Sequence, residues 1–189
     1  MKTLLSVLGG LVVTIVIFVL VSIHYRNQLI DLDESVKLKW RDIGVQLERR
    51  ADLVPNLVST VKGYAAHEKD VFTSVAEARA RLLAAQTPSE KAAADAALGS
   101  AIGRLLAISE QYPQLKSDTL FVRLQDELAG TENRIAVARL RYNEVVKTYN
   151  ATIRKFPGSY FAAQLALERC DYYEVPEGKS VTDVPKVAF

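Results

Sequence analysis

Residues 119–156 read TLFVRLQDELAGTENRIAVARLRYNEVVKTYNATIRKF. Phe121, Leu124, Leu128, Thr131, Ile135, Ala138, Tyr142, Val145, Tyr149, Thr152 and Phe156 follow one another by alternating steps of three and four. That spacing lays one stripe of side chains along an α-helix, an a/d seam over five heptads. It predicts a helix over about 119–155, capped by Ser117 or Asp118 and ended by Phe156-Pro157-Gly158. At about 1.5 Å per residue such a helix is about 55 Å long. An ordinary bundle helix explains the seam first, and its length could also serve contacts between subunits.

The chain on the N-terminal side has the same period. Thr87-Pro88-Ser89-Glu90 is a capping box with proline in the first turn. It opens an alanine-rich helix that runs to about Gln111 and stops at Tyr112-Pro113. Gly99 and Gly103 lie one turn apart there, so a neighbouring helix could approach closely. Earlier, Val36, Trp40, Ile43, Leu47, Val54, Leu57, Val61 and Tyr64 continue the stripe, with Arg50 filling one slot. Pro55 predicts a kink or a short break, since proline lacks a donor and clashes with the preceding turn. Asp52 could then cap a new helix. Gly63 is a second weak point, after which helix resumes through His67 to about Ala85.

Residues 4–23 carry no charge. Twenty helical residues span about 30 Å, the thickness of the hydrocarbon core. The run is too long for a signal peptide and offers no Ala-x-Ala site, so it is read as an uncleaved anchor. Nothing breaks helix between Tyr25 and Asn27, so the span can run on into the next segment. Gly10 and Thr14 have small-xxx-small spacing, which can let two spans pack. Lys2 precedes the run, whereas Arg26, Lys37, Lys39 and Arg41 follow it. This bias leans toward a cytoplasmic C-terminal side.

The expected fold is therefore all-α. An N-terminal transmembrane helix precedes an antiparallel bundle of about four long helices and a less regular C-terminal tail. The boundaries are 1–26 for the anchor, 27–158 for the bundle and 159–189 for the tail. Ser159 is expected to cap a short helix through Arg169. Tyr172, Tyr173, Val175 and Pro176 then read as extended, before the closing Pro185-Lys186-Val187-Ala188-Phe189.

Chemistry is sparse. The chain has 24 basic and 22 acidic side chains, a net charge of +2, and no concentrated basic face for nucleic acid. One cysteine, Cys170, excludes an internal disulfide. His67-Glu68 begins a zinc-like H-E-x-x-H, but position 71 is Val. Ser59 near Lys62 and Ser89 near Lys91 are pairs that chance supplies often. No catalytic residue, cofactor, metal ligand or small-molecule substrate is expected. Arg50 is the oddity, because a buried arginine is costly unless carboxylates or carbonyls satisfy it. An ion-pair network fixing helix register accounts for it first, and a polar contact surface is the rival. Trp40, Arg49, Arg50, Asp52, Pro55 and Asn56 form the candidate interaction surface.

The order of motifs resembles the LemA family of bacterial membrane proteins. The resemblance rests on Trp40-Arg41-Asp42-Ile43, on QLERRADLVPNLVSTVKGYAAHEK at 46–69, and on Glu77-Ala78-Arg79. It continues through Glu132-Asn133-Arg134-Ile135-Ala136, Arg141-Tyr142-Asn143, Tyr149-Asn150, Phe156-Pro157 and the terminal five residues. The resemblance implies a membrane-anchored helical bundle with a very short N-terminus outside and the domain in the cytoplasm. It implies no enzyme activity and no cofactor. The alanine-rich 159–169 segment departs from the glycine- and phenylalanine-rich stretch that family members often have there. The expected function is a non-enzymatic scaffold at the bacterial inner membrane, anchored in lipid by one pass and self-associating into a homo-oligomer. The alternative is an adaptor or regulatory partner of another envelope membrane protein.

Overall fold

The computed structural model describes residues 2–174, with side chains from Leu8 onward. The expected extended residues Val175 and Pro176 and the closing 185–189 lie outside the described residues. All regular structure among the described residues is helical. The first helix, α1 (Lys2–Lys62), runs 61 residues from the apolar segment into the bundle, as the lack of a breaker at 25–27 allows. The break expected at Pro55 is absent, and that proline lies inside α1 with its ring exposed. Its cost falls on the carbonyl four residues back, on Ala51, and another side chain takes up that carbonyl (below).

Contacts divide the chain into two compact units, the first being Met1–Asp42 with Leu140–Asp171. Here α1 packs antiparallel against the end of α5 (Thr119–Arg154), with Trp40 beside Tyr142 and Tyr25 stacked on Phe161. Leu29, Val36, Tyr142, Val146, Tyr149, Ile153 and Phe161 are buried. The seam departs from expectation after Tyr142. Val146 and Ile153 are buried where Val145 and Thr152 were expected, and Phe156 is 88% exposed. A straight helix drifts about 20° per heptad from a strict seven-residue repeat, so a distant a/d pattern slides off the buried face.

The chain then reverses through a cis Phe156–Pro157 bond into α6 (Gly158–Gln164). Gly158 lies so close to the Thr152 carbonyl that a Cβ would not fit. The expected cap at Ser159 is not made, since Pro157 occupies the N-cap position. The helix also ends sooner than expected. Ala166 adopts φ 51° and the Leu167 N–H returns to the Ala162 carbonyl at 3.0 Å, an αL stop that ends α6 well before Arg169. Residues 168–171 run back along α5, held through their backbone. The Tyr149 hydroxyl donates to the Glu168 carbonyl (2.9 Å) and the Tyr142 hydroxyl to the Asp171 carbonyl (2.9 Å). Buried Asn150 donates to the Cys170 carbonyl (2.8 Å) and accepts from its N–H (3.0 Å).

The second unit comprises Ile43–Arg139 with the described residues from Tyr172 on. It holds the end of α1, α2 (Lys69–Ala84), α3 (Pro88–Ile108), the short α4 (Pro113–Lys116) and the start of α5. The starts of α3 and α5 show their signals. Thr87 and Glu90 complete the capping box (3.2 and 3.1 Å), and the Asp118 carboxylate accepts from the Leu120 and Phe121 N–H groups. Because α1 stops at Lys62, Tyr64 leaves the apolar stripe. It is exposed, its hydroxyl donating to Asp118 (2.8 Å), and Ala65 is buried instead. Ile43, Leu47, Val54, Leu57, Val61, Val75, Leu82, Leu98, Leu105, Phe121 and Ile135 form the core. Each such side chain contributes about 1.5–3 kcal/mol when fully buried. By length and composition α3 could cross a membrane, yet Leu98, Ile102 and Leu105 are buried in this unit. It is a core helix.

Candidate functional site

The end of α1 places Arg50 one step from Leu47 and Val54 on the buried stripe, so its guanidinium must enter the core. Its Nη1 lies 2.9 Å from Asp95 Oδ1 on α3 and 2.6 Å from Glu132 Oε2 on α5. Gly99, one turn beyond Asp95, makes room. A Cβ there would stand 3.2 Å from Arg50 Nη2. Arg139 reaches the other Asp95 oxygen at 4.0 Å and lies over the Tyr173 ring, 5.5 Å from its centre. Two cations thus face two carboxylates across three helices, an arrangement whose Coulombic gain is offset by the desolvation of its buried charges.

Burial pushes the Asp95 carboxyl above its ordinary value, against the pull of Arg50. Glu132 raises it further, while Arg139 and the hydrogen bond from Arg50 lower it. Burial likewise raises the Tyr173 phenol. Arg50 Nε is buried without a hydrogen-bond partner, as is Gln46 Oε1 one turn earlier on α1. The cluster offers fixed, paired charges rather than a free base or nucleophile.

A second polar arrangement surrounds Pro55. Having no N–H, this residue leaves the Ala51 carbonyl without its helical donor. Arg79 of α2 supplies one, its Nε lying 2.8 Å from that oxygen, and its Nη2 is 3.7 Å from Asp52 Oδ1. In the sequence Arg79 stands out only as part of the Glu77-Ala78-Arg79 motif. The spacing of Pro55 from the ends of its helix signals an orphan carbonyl, but nothing in the sequence says which donor finds it.

The proposed surface residues fall in different places. Trp40 belongs to the first unit, half-buried with its ring 5.6 Å from that of Tyr142. Arg50 is inside the second unit. Arg49, Asp52, Pro55 and Asn56 are exposed along the same stretch of α1. Arg49 pairs with Glu127 at 3.2 Å, and Glu127 also faces Arg134 at 3.8 Å. The Asn56 carbonyl accepts from the Thr60 hydroxyl at 2.9 Å.

A family model described as the LemA family matches residues 39–189, which include Trp40, the Arg50 cluster and the tail-holding Tyr142, Tyr149 and Asn150. The chain belongs to the LemA family. It is 28% identical to Magnetosome protein MamQ of Magnetospirillum gryphiswaldense, over 93% of this chain and 75% of that protein. Magnetosome protein MamQ 1 of Paramagnetospirillum magneticum is similar to the same extent. Protein LemA of Metamycoplasma hominis is 23% identical over 88% of this chain and 76% of its own length. With the exposed apolar stretch of α1, these relatives mark this LemA-family chain as a membrane-associated protein.

Proposed function

We propose that this LemA-family protein is a non-enzymatic scaffold that crosses the inner membrane once through α1 and self-associates. The observation that carries the reading is the continuity of α1. Leu11, Val12, Val13 and Phe18 are exposed on all sides of the helix, and the same helix buries Leu29 and Val36 farther along. No linker separates membrane from domain, so the bundle is held rather than tethered. The hydroxyls of Thr14 and Ser22 donate to the carbonyls four residues back, 2.9 and 2.7 Å, as a hydrocarbon surrounding requires. The MamQ relatives are named for a cellular structure, the magnetosome, and not for a reaction. That favours a structural role. The charge bias of Arg26, Lys37, Lys39 and Arg41 supports a cytoplasmic bundle and a short outer N-terminus.

Mass photometry of the full-length protein in mild detergent tests the reading. A uniform particle of many subunits supports the scaffold, and a strict monomer at micromolar concentration defeats it. The exposed strip Arg49, Asp52, Pro55 and Asn56 favours one second reading, an adaptor for another membrane protein. A photo-crosslinking side chain at Asn56 separates the two. Adducts at multiples of the chain mass support self-association, whereas one adduct of another mass supports the adaptor.

A further inference from the structure

The turn between α5 and α6 combines features that a water-exposed loop does not need. Phe156 is 88% exposed and Tyr160 54% exposed. Neither 145–167 nor the first 30 residues contain an acidic side chain, while Arg26, Arg154 and Lys155 are all exposed. The end of the first unit formed by these segments therefore carries aromatic rings and uncompensated positive charge.

Its level relative to the apolar run follows from helix geometry. Trp40 of α1 lies beside Tyr142 of α5, and the two helices run antiparallel. Fourteen residues on from Tyr142 is Phe156, and fourteen back from Trp40 is Arg26. Phe156, two residues past the end of α5, is thus near the level of Arg26, three residues or about 4.5 Å from Ile23 at the end of the apolar run. The stacking of Tyr25 on Phe161, 6.1 Å between ring centres, places α6 at the same height independently. The polar layer on each side of a bilayer is about 5–7 Å thick.

We propose that this turn docks in the headgroup layer of the bilayer that α1 crosses. Phe156 and Tyr160 enter the interface, and Arg26, Arg154 and Lys155 face the phosphates of anionic lipid. Aromatic rings favour that depth, and cations beside it are drawn to negatively charged lipid. The bundle then meets the membrane at two places, the span and the turn. The inference rests on the reading of α1 as a membrane span.

The test uses full-length protein carrying Phe156→Trp, a change at an exposed side chain, in phosphatidylcholine vesicles with or without phosphatidylglycerol. Acyl chains brominated near the headgroup quench an indole at the interface. Wild-type protein is the control, because Trp40 stands seventeen residues, or about 25 Å, beyond Ile23. The expected result is about a twofold loss of the added emission, greater with phosphatidylglycerol, and little loss from Trp40. Adding Arg26→Ser, Arg154→Ser and Lys155→Ser should remove the dependence on phosphatidylglycerol. Flotation with the vesicles reads the span separately. Protein that floats but whose introduced indole is unquenched overturns the docking and leaves the span intact. A blue-shifted but unquenched indole would place a protein surface there and also overturn it. Protein that does not float overturns both.

Discussion

Arg79 satisfies the Ala51 carbonyl that Pro55 leaves without a helical donor. Its Nε donates at 2.8 Å to the Ala51 carbonyl, whose own helical donor would have been the N–H that Pro55 lacks. A defect in α1 thereby becomes a cross-link to α2.

The two residues should be coupled. In wild type, Arg79→Met leaves a buried carbonyl unsatisfied and is expected to cost about 1–3 kcal/mol. In a Pro55→Ala background the helix supplies its own donor, and the same change should cost clearly less. Urea denaturation of the four proteins measures the coupling. Equal costs in both backgrounds would mean that Arg79 does not act through this carbonyl.

Asp95→Ala should destabilise by about 1–3 kcal/mol, because it removes the buried partner of Arg50 and leaves the guanidinium only the half-exposed Glu132. Arg50→Met combined with Asp95→Leu should cost less than Asp95→Ala, since no charge remains buried and Glu132, half-exposed, can turn to water. Gly99→Ala should be less favourable in wild type than in the Arg50→Met, Asp95→Leu variant, because its methyl stands 3.2 Å from the guanidinium. Thermal unfolding followed by circular dichroism ranks the variants.

The carboxylates should respond to acid with opposite signs. Backbone donors, chiefly that of Phe121, hold Asp118 below its ordinary 3.8. Its folded value is depressed, so its stabilisation is present above 3.8 and disappears as pH falls through the folded value. Asp95 is raised by burial. Its contribution is present below 3.8 and is lost as pH rises through the folded value. On acidification to about pH 2.5, Asp118→Asn should therefore lose less stability than wild type, and Asp95→Asn should lose more. Denaturation midpoints across the acid range decide it, and identical profiles would contradict both assignments.

Ala166→Gly should raise stability by about 0.5–1 kcal/mol, the reverse of the usual sign for this substitution. Ala166 holds φ 51°, where a Cβ is strained and glycine is not. A fall in the unfolding midpoint would show that the αL stop is not kept in solution.

The local signals were legible because each acts within one turn of its own sequence. The Thr87–Glu90 box, the Asp118 cap and the apolar steps from Val36 to Val61 all appear where the residues announce them. Arg50 was legible as an intruder in that stripe. Its partners were not, because Asp95 and Glu132 are reached only after α3 and α5 fold back against α1. Pro55 misled for a related reason. The cost of an interior proline depends on what else can reach the freed carbonyl, and that donor lies 28 residues away. The seam beyond Tyr142 failed through the arithmetic of 3.6 against 3.5 residues per turn. The hold of Tyr142, Tyr149 and Asn150 on the tail left no periodic trace, since these side chains bind backbone groups that every residue has.

An uninterrupted α1 also has angular consequences. One residue inserted between Ile23 and Leu29 would turn everything beyond it by about 100° about the helix axis and raise it by about 1.5 Å. Two full turns, about seven residues, nearly restore the original heading at a greater height. The stretch between the apolar run and the buried part of α1 therefore works as an indexed shaft. Its length selects the compass direction in which the first unit faces its surroundings, and changes there preserve that direction only in near-whole turns.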